Sequence, residues 1–212
     1  VSILSLYASF SFGILASSLS NVEEVVSTQL TAWGGREICR DPSTQDVRRV
    51  LDALDGPRNP PAVRRAILLS RVDGSDGEKT LFVSSVADGY LSMISAVSAQ
   101  LSGLHLAVEV SRLDSPFPKN AVLALQNGNV RRAVHAMKDT SGWVFYQRGE
   151  PLWFEDVSFY RETLKRSRVT PDVIASYLCR YGYGSLDLRF WTSSAAARIV
   201  YEGSYRFADV SG

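Results

Sequence analysis

The chain has 212 residues, 45% of them apolar and 21% charged, with 23 Lys and Arg against 22 Asp and Glu. That length supports one sizeable core, and a formal charge of +1 argues against both a general nucleic-acid binder and a broad electrostatic hold on a membrane. Two cysteines and two histidines, none at ligand spacing, argue against a zinc site.

Residues 1–20 carry no charge. A signal-peptide core with cleavage near Ala16-Ser17-Ser18 lacks the usual basic leader. Seven serines in this stretch weaken a membrane span. The favoured reading is a segment that packs on the core or extends upstream of the true start. The chain is therefore divided into an uncharged segment, 1–25, and a single domain, 26–212.

A strand is expected over 29–39, with Gly34-Gly35 as a bulge or turn. Those glycines lack the following Lys-Ser/Thr of a phosphate loop. Asp41-Pro42 then opens a helix near 43–55, where Val47, Val50, Leu51 and Leu54 share one face. Strands over 66–72 and 79–86 flank an Asp-Gly-rich turn. Its acids, Asp73, Asp76 and Glu78, lack calcium-loop spacing. Residues 88–101 read as a hairpin at Asp88-Gly89 or as a helix capped by Asp88, and the hairpin is preferred. The alternation Leu104, Leu106, Val108, Val110 predicts a half-buried strand with His105 and Glu109 on its wetter face.

Strands come next over 121–126, from 129 to Met137, and over 143–148, joined at Asn127-Gly128 and at 138–142. A further short strand is expected over 151–154. Two helices are placed near 157–167 and 170–182. Arg161, Lys165 and Arg168 line one face of the first, and Thr170-Pro171-Asp172 caps the second. A last strand pair is placed at 186–191 and 198–205. The fold class is α+β: an antiparallel meander of six or more strands packed by about three helices.

Chemistry is sparse. Cys39 and Cys179 are expected to be buried free thiols. No Gly-x-Ser-x-Gly elbow is present, and His135 reads as a packed or half-exposed strand residue. Glu150, Glu155 and Asp156 flank the apolar run Pro151-Leu152-Trp153-Phe154, which looks exposed. A small hydrolase would set two of these carboxylates across a cleft. The plainer reading puts Glu155 and Asp156 at a helix start, where negative charge suits the dipole. Trp143, Phe145, Tyr146, Trp153 and Phe154 suit a core better than a stacking platform for bases.

The C-terminal half resembles bacterial immunity proteins of toxin–immunity pairs. The likeness runs through Arg131-Arg132-Ala133-Val134, Lys138-Asp139, Gly142-Trp143-Val144-Phe145-Tyr146 and Gly149-Glu150-Pro151-Leu152-Trp153-Phe154-Glu155. It continues at Tyr160, Arg168 and Ser176-Tyr177-Leu178. The resemblance implies a non-catalytic, cytoplasmic α+β domain that occludes one cognate toxin, without cofactor or metal. The expected contact surface comprises Glu150, Trp153, Glu155, Asp156, Arg161, Lys165 and Arg168. The rival readings are the carboxylate hydrolase and a structural or assembly subunit.

Overall fold

The computed structural model describes residues 3–5, 7–41, 64–72, 77–85, 90–183, 186 and 196–202. Among them are nine strands: β1 (Ser9–Leu15), β2 (Arg36–Asp41), β3 (Arg64–Arg71), β4 (Thr80–Ser84), β5 (His105–Ser111), β6 (Lys119–Gln126), β7 (Asn129–Asp139), β8 (Gly142–Arg148) and β9 (Ala196–Glu202). They form one antiparallel sheet in the order β2-β9-β3-β4-β1-β5-β6-β7-β8. Three α-helices accompany it: α1 (Leu19–Ala32), α2 (Leu91–Ser98) and α3 (Pro171–Arg180).

The class is α+β, and β5 to β8 are the expected meander. Among the other strands only β3 and β4, the pair expected on either side of the Asp-Gly-rich turn, are sequential neighbours. The uncharged N-terminal stretch supplies β1, which lies between β4 and β5, and β9 is inserted between β2 and β3.

Alternation along β1 explains the two-sided core. Phe10, Phe12 and Ile14 join Leu106, Val108, Val122 and Val134 on one face, beneath Val173, Ile174, Tyr177 and Leu178 of α3. Leu15 faces the other way, with Ile67, Phe82 and Leu125, beneath Val22, Val26 and Leu30 of α1 and Met93, Ile94 and Val97 of α2. Each fully buried side chain of this size contributes about 1.5–3 kcal/mol, so α1 and α2 are held mainly by their buried stripes.

Several expectations change. Residues 29–32 complete α1, and the strand begins only after Gly34-Gly35, where Gly35 N donates back to Leu30 O at 2.8 Å. Ser18 caps this helix by accepting from Asn21 N at 3.3 Å. The preferred hairpin in 88–101 is instead helix α2, because Met93, Ile94 and Val97 fill one face of the sheet. His105 is not on a wet face. With helices on both sides of this part of the sheet it is fully buried, Ala16 N donating to its Nδ1 at 3.1 Å and Leu101 O lying 3.3 Å from Nε2. Residues 151–154 form no strand. The expected helix over 157–167 is two 3-10 turns, Val157–Arg161 and Lys165–Ser167.

The Asn127-Gly128 turn forms as read, with φ of 50° and 75° at the two residues. Both cysteines are free, but exposed rather than buried. The helix expected near 43–55, the turn at Asp73 and Asp76, Asp88-Gly89 and the strand positions 187–191 and 203–205 lie outside the described residues.

Candidate functional site

The chain leaves β8 at Gly149, which has φ 81°. A Cβ there would sit 2.2 Å from Arg131 O, so only glycine lets the backbone turn this closely against β7. From Gly149 to Asp156 the chain is a loop tied down from below.

The tie is Arg132. On β7 it is in phase with Val134 and Ala136, so its side chain points into the apolar face that they line. The side chains of Arg132 and Glu155 are 2% and 1% exposed. Arg132 Nε donates to Glu155 Oε1 at 3.0 Å, and Nη2 donates to Oε2 at 2.8 Å. The same guanidinium donates to Gly149 O at 2.7 Å and to Gln147 Oε1 at 3.1 Å. Glu155 also accepts from Leu152 N at 3.0 Å and from Tyr160 Oη at 2.6 Å. Tyr177 Oη on α3 donates toward Tyr160 Oη at 3.1 Å.

This geometry sets the electrostatics. Burial works against the Arg132 charge, but the hydrogen bonds and field of Glu155 outweigh it and hold the guanidinium protonated more firmly than usual. Burial, reinforced by the bond to Glu155, pushes the Tyr160 phenol strongly upward, so it stays a donor. A buried pair with its lone pairs satisfied from both sides fixes geometry more than it adds stability.

Inside this frame the loop alternates. Leu152 and Phe154 point into the core, while Trp153 is 70% exposed. Phe154 is thus not part of an exposed patch: it is 1% exposed and packs edge-on against Tyr181, with ring centroids 5.4 Å apart. Trp153 stacks on Tyr181 at 6.3 Å and meets Phe154 edge-on at 5.5 Å. Tyr181 is itself anchored, its hydroxyl donating to Leu104 O, and burial raises its phenol to about 12. The exposed indole therefore rests on two immobilised rings.

The remaining expected contact residues are dispersed. The Glu155 carboxylate lies inside, consumed by Arg132, so it offers nothing to a partner and cannot form an acid–base pair across a cleft. Asp156 caps the first 3-10 turn, accepting from Ser158 N at 3.1 Å as well as from Ser158 Oγ at 2.6 Å, and lies 3.4 Å from Arg180 Nη2. Those bonds, Ser158 first and then Arg180, hold its carboxyl below the usual range. Glu150, Arg161 and Lys165 are exposed. Arg168 is half-buried, its guanidinium 5.1 Å from the Phe145 ring centre and its Nε donating to Glu162 O at 2.8 Å. Because 162–164 interrupt the two 3-10 turns, Arg161, Lys165 and Arg168 do not share one helical face.

Other features offer less. Ser20, Glu23, Glu24, Ser27, Thr28 and Arg40 line an open groove of about 430 Å³ beside α1. Arg40 there is already paired with Glu23 at 2.5 Å and Glu37 at 2.8 Å. Among the described residues no group of three or more His, Cys, Asp or Glu is placed to hold a metal, and no helix is long and apolar enough to cross a membrane. Arg132 is the site residue that sequence reasoning misses. Its signal is parity, a charge in phase with Val134 and Ala136.

No protein-family model, curated protein or solved structure matches this chain.

Proposed function

We propose that the chain is a protein-binding domain that engages one partner stoichiometrically through the Trp153 loop, the favoured partner being a toxin that it neutralises by occlusion. One observation carries this reading. Trp153 is 70% exposed on a loop whose two flanks are pinned by the buried Arg132–Glu155 pair. Trp is over-represented among binding hot spots, and a pre-ordered anchor spares the entropy that a mobile loop loses on docking. Asp156 with Arg180, and the exposed Glu150, Arg161 and Lys165, supply a charged rim that selects partners more than it strengthens them. Cytoplasmic action is part of the proposal. Two exposed free thiols suit a reducing compartment better than an oxidising one.

The test has two stages. The wild-type chain is used as bait in a lysate of its own host, and the captured protein is then expressed alone and together with the chain. Growth arrest by the captured protein, relieved by co-expression, is the expected result. Trp153→Ala should weaken capture by at least about 30-fold, the scale of a hot spot, with unchanged thermal unfolding. Capture that ignores Trp153, or substrate turnover by the purified chain alone, overturns the reading.

A further inference from the structure

The two edges of the sheet are built differently. β2, at one end, carries Arg36, Glu37, Arg40 and Asp41 and is broken by a bulge between Glu37 and Cys39. Charges and a bulge are how natural sheets discourage added strands. β8, at the other end, has the sequence GWVFYQR and pairs with β7 through seven residues without a register shift. It has no proline, no lysine and no bulge. Among the described residues no backbone–backbone hydrogen bond leaves its outer side.

The surroundings of this edge are basic. Residues 129–168 hold eight Lys and Arg against five Asp and Glu, and with Arg132 and Glu155 paired to each other in the interior seven bases face four acids. Arg148 ends the strand and is exposed, as are Lys165 and Arg166 of the 3-10 turn that packs against β8. Tyr146 is 43% exposed and stacks on His135 at 5.1 Å, so the strand offers aromatic surface as well as charge.

We infer that β8 receives an extended, acidic and apolar segment of the partner as an added strand. The inference rests on the partner-binding reading and names the element of the partner that it takes. Main-chain hydrogen bonds to the free edge supply affinity. Apolar side chains beside Val144 and Tyr146, and carboxylates near Arg148, Lys165 and Arg166, supply selection.

The probe is a phage-displayed library of random peptides about ten residues long, near the upper length of a strand, selected on the immobilised chain. Enriched peptides are expected to alternate apolar residues and to carry excess Asp and Glu. In fluorescence anisotropy, backbone N-methylation at every second position should weaken a synthetic peptide by about tenfold or more, while the intervening positions tolerate it. Arg148→Glu with Lys165→Glu should weaken it similarly, with thermal unfolding unchanged. No enrichment, N-methyl sensitivity without a two-residue period, or indifference to charge reversal overturns the inference. So does a dimer in solution that protects the β8 amides from hydrogen exchange, which assigns the edge to a second copy. A chain that keeps Trp153-dependent capture while failing these tests loses this inference alone. Loss of Trp153 dependence removes the partner-binding reading itself.

Discussion

Replacing Glu155 by Ala tests the central claim, that a buried ion pair holds the Trp153 loop. Glu155 accepts from Arg132 Nε and Nη2, Leu152 N and Tyr160 Oη. Its removal leaves the Arg132 guanidinium, 2% exposed, without a counter-charge. Breaking one side of a buried pair costs about 3–5 kcal/mol. The orphaned Leu152 and Tyr160 donors push toward the upper end, while water reaching the relaxed loop pushes back, so about 4 kcal/mol is expected. That is a large part of the roughly 5–15 kcal/mol available to a folded protein. For a chain of this size it lowers the unfolding midpoint by about 8–16 °C. Urea unfolding followed by the fluorescence of the four tryptophans measures it directly. The double substitution Arg132→Met, Glu155→Leu removes both charges and should regain most of the loss, because apolar replacement of a whole buried pair is often neutral. A single-site loss below about 1 kcal/mol, the scale of an exposed pair, would refute the reasoning and leave the loop held by Phe154 and Leu152 alone.

Gly149→Ala should destabilise by at least about 2 kcal/mol in the same assay, since it combines positive φ with a Cβ 2.2 Å from Arg131 O; a neutral result would mean the turn is not this tight. His105 has its pKa lowered, by burial first and against the bond to Leu101. The unfolded state therefore binds the proton more readily, and stability should fall as pH drops below about 6.5. His105→Gln should reduce that slope and leave the part due to His135, whose pKa burial also lowers, and an unchanged slope assigns it elsewhere. Both Cys39 and Cys179 are exposed, so native-state titration with a thiol reagent should label two groups per chain without denaturant. Trp153→Ala should leave the unfolding free energy within about 0.5 kcal/mol of wild type, as surface substitutions usually do, while weakening partner capture by at least about 30-fold; a large stability loss would make Trp153 a structural residue.

The legible parts of the fold are those whose local pattern and tertiary environment agree. β5 to β8 form a meander with short connections, Asn127-Gly128 names its own turn, and Thr170-Pro171 announces α3, where Thr170 Oγ1 accepts from Val173 N at 3.2 Å. α1 is hidden in the sequence because Ser, Thr, Val and Asn dilute its stripe of Val22, Val26 and Leu30. α2 is hidden because Met93, Ile94 and Val97 are equally good strand residues in isolation. The wet face expected for His105 is wrong because covering helices on the second side make alternation uninformative. Trp153 is visible as a candidate, but its pairing with a buried Phe154 is not. That pairing depends on Arg132, 23 positions from Glu155, which no local pattern connects. Loop-and-turn structure at 157–168 imitates a helix because Val157, Tyr160 and Leu164 recur at helical spacing, yet of these three only Tyr160 is buried.

The placement of β9 sets a condition on synthesis. β3 pairs on one side with β4, the next strand in the chain, but its other neighbour, Ala196–Glu202, emerges from the ribosome more than a hundred residues later. Closing so long a span is slow. Until then β2 has no companion, and Ile67 and Leu69 flank a bare seam open to foreign chains. The meander from β5 to β8 needs no such wait, so the half bearing the Trp153 loop should be assembled first. Premature termination before residue 196 would then release a chain with a finished C-terminal face and a sticky wound through its middle.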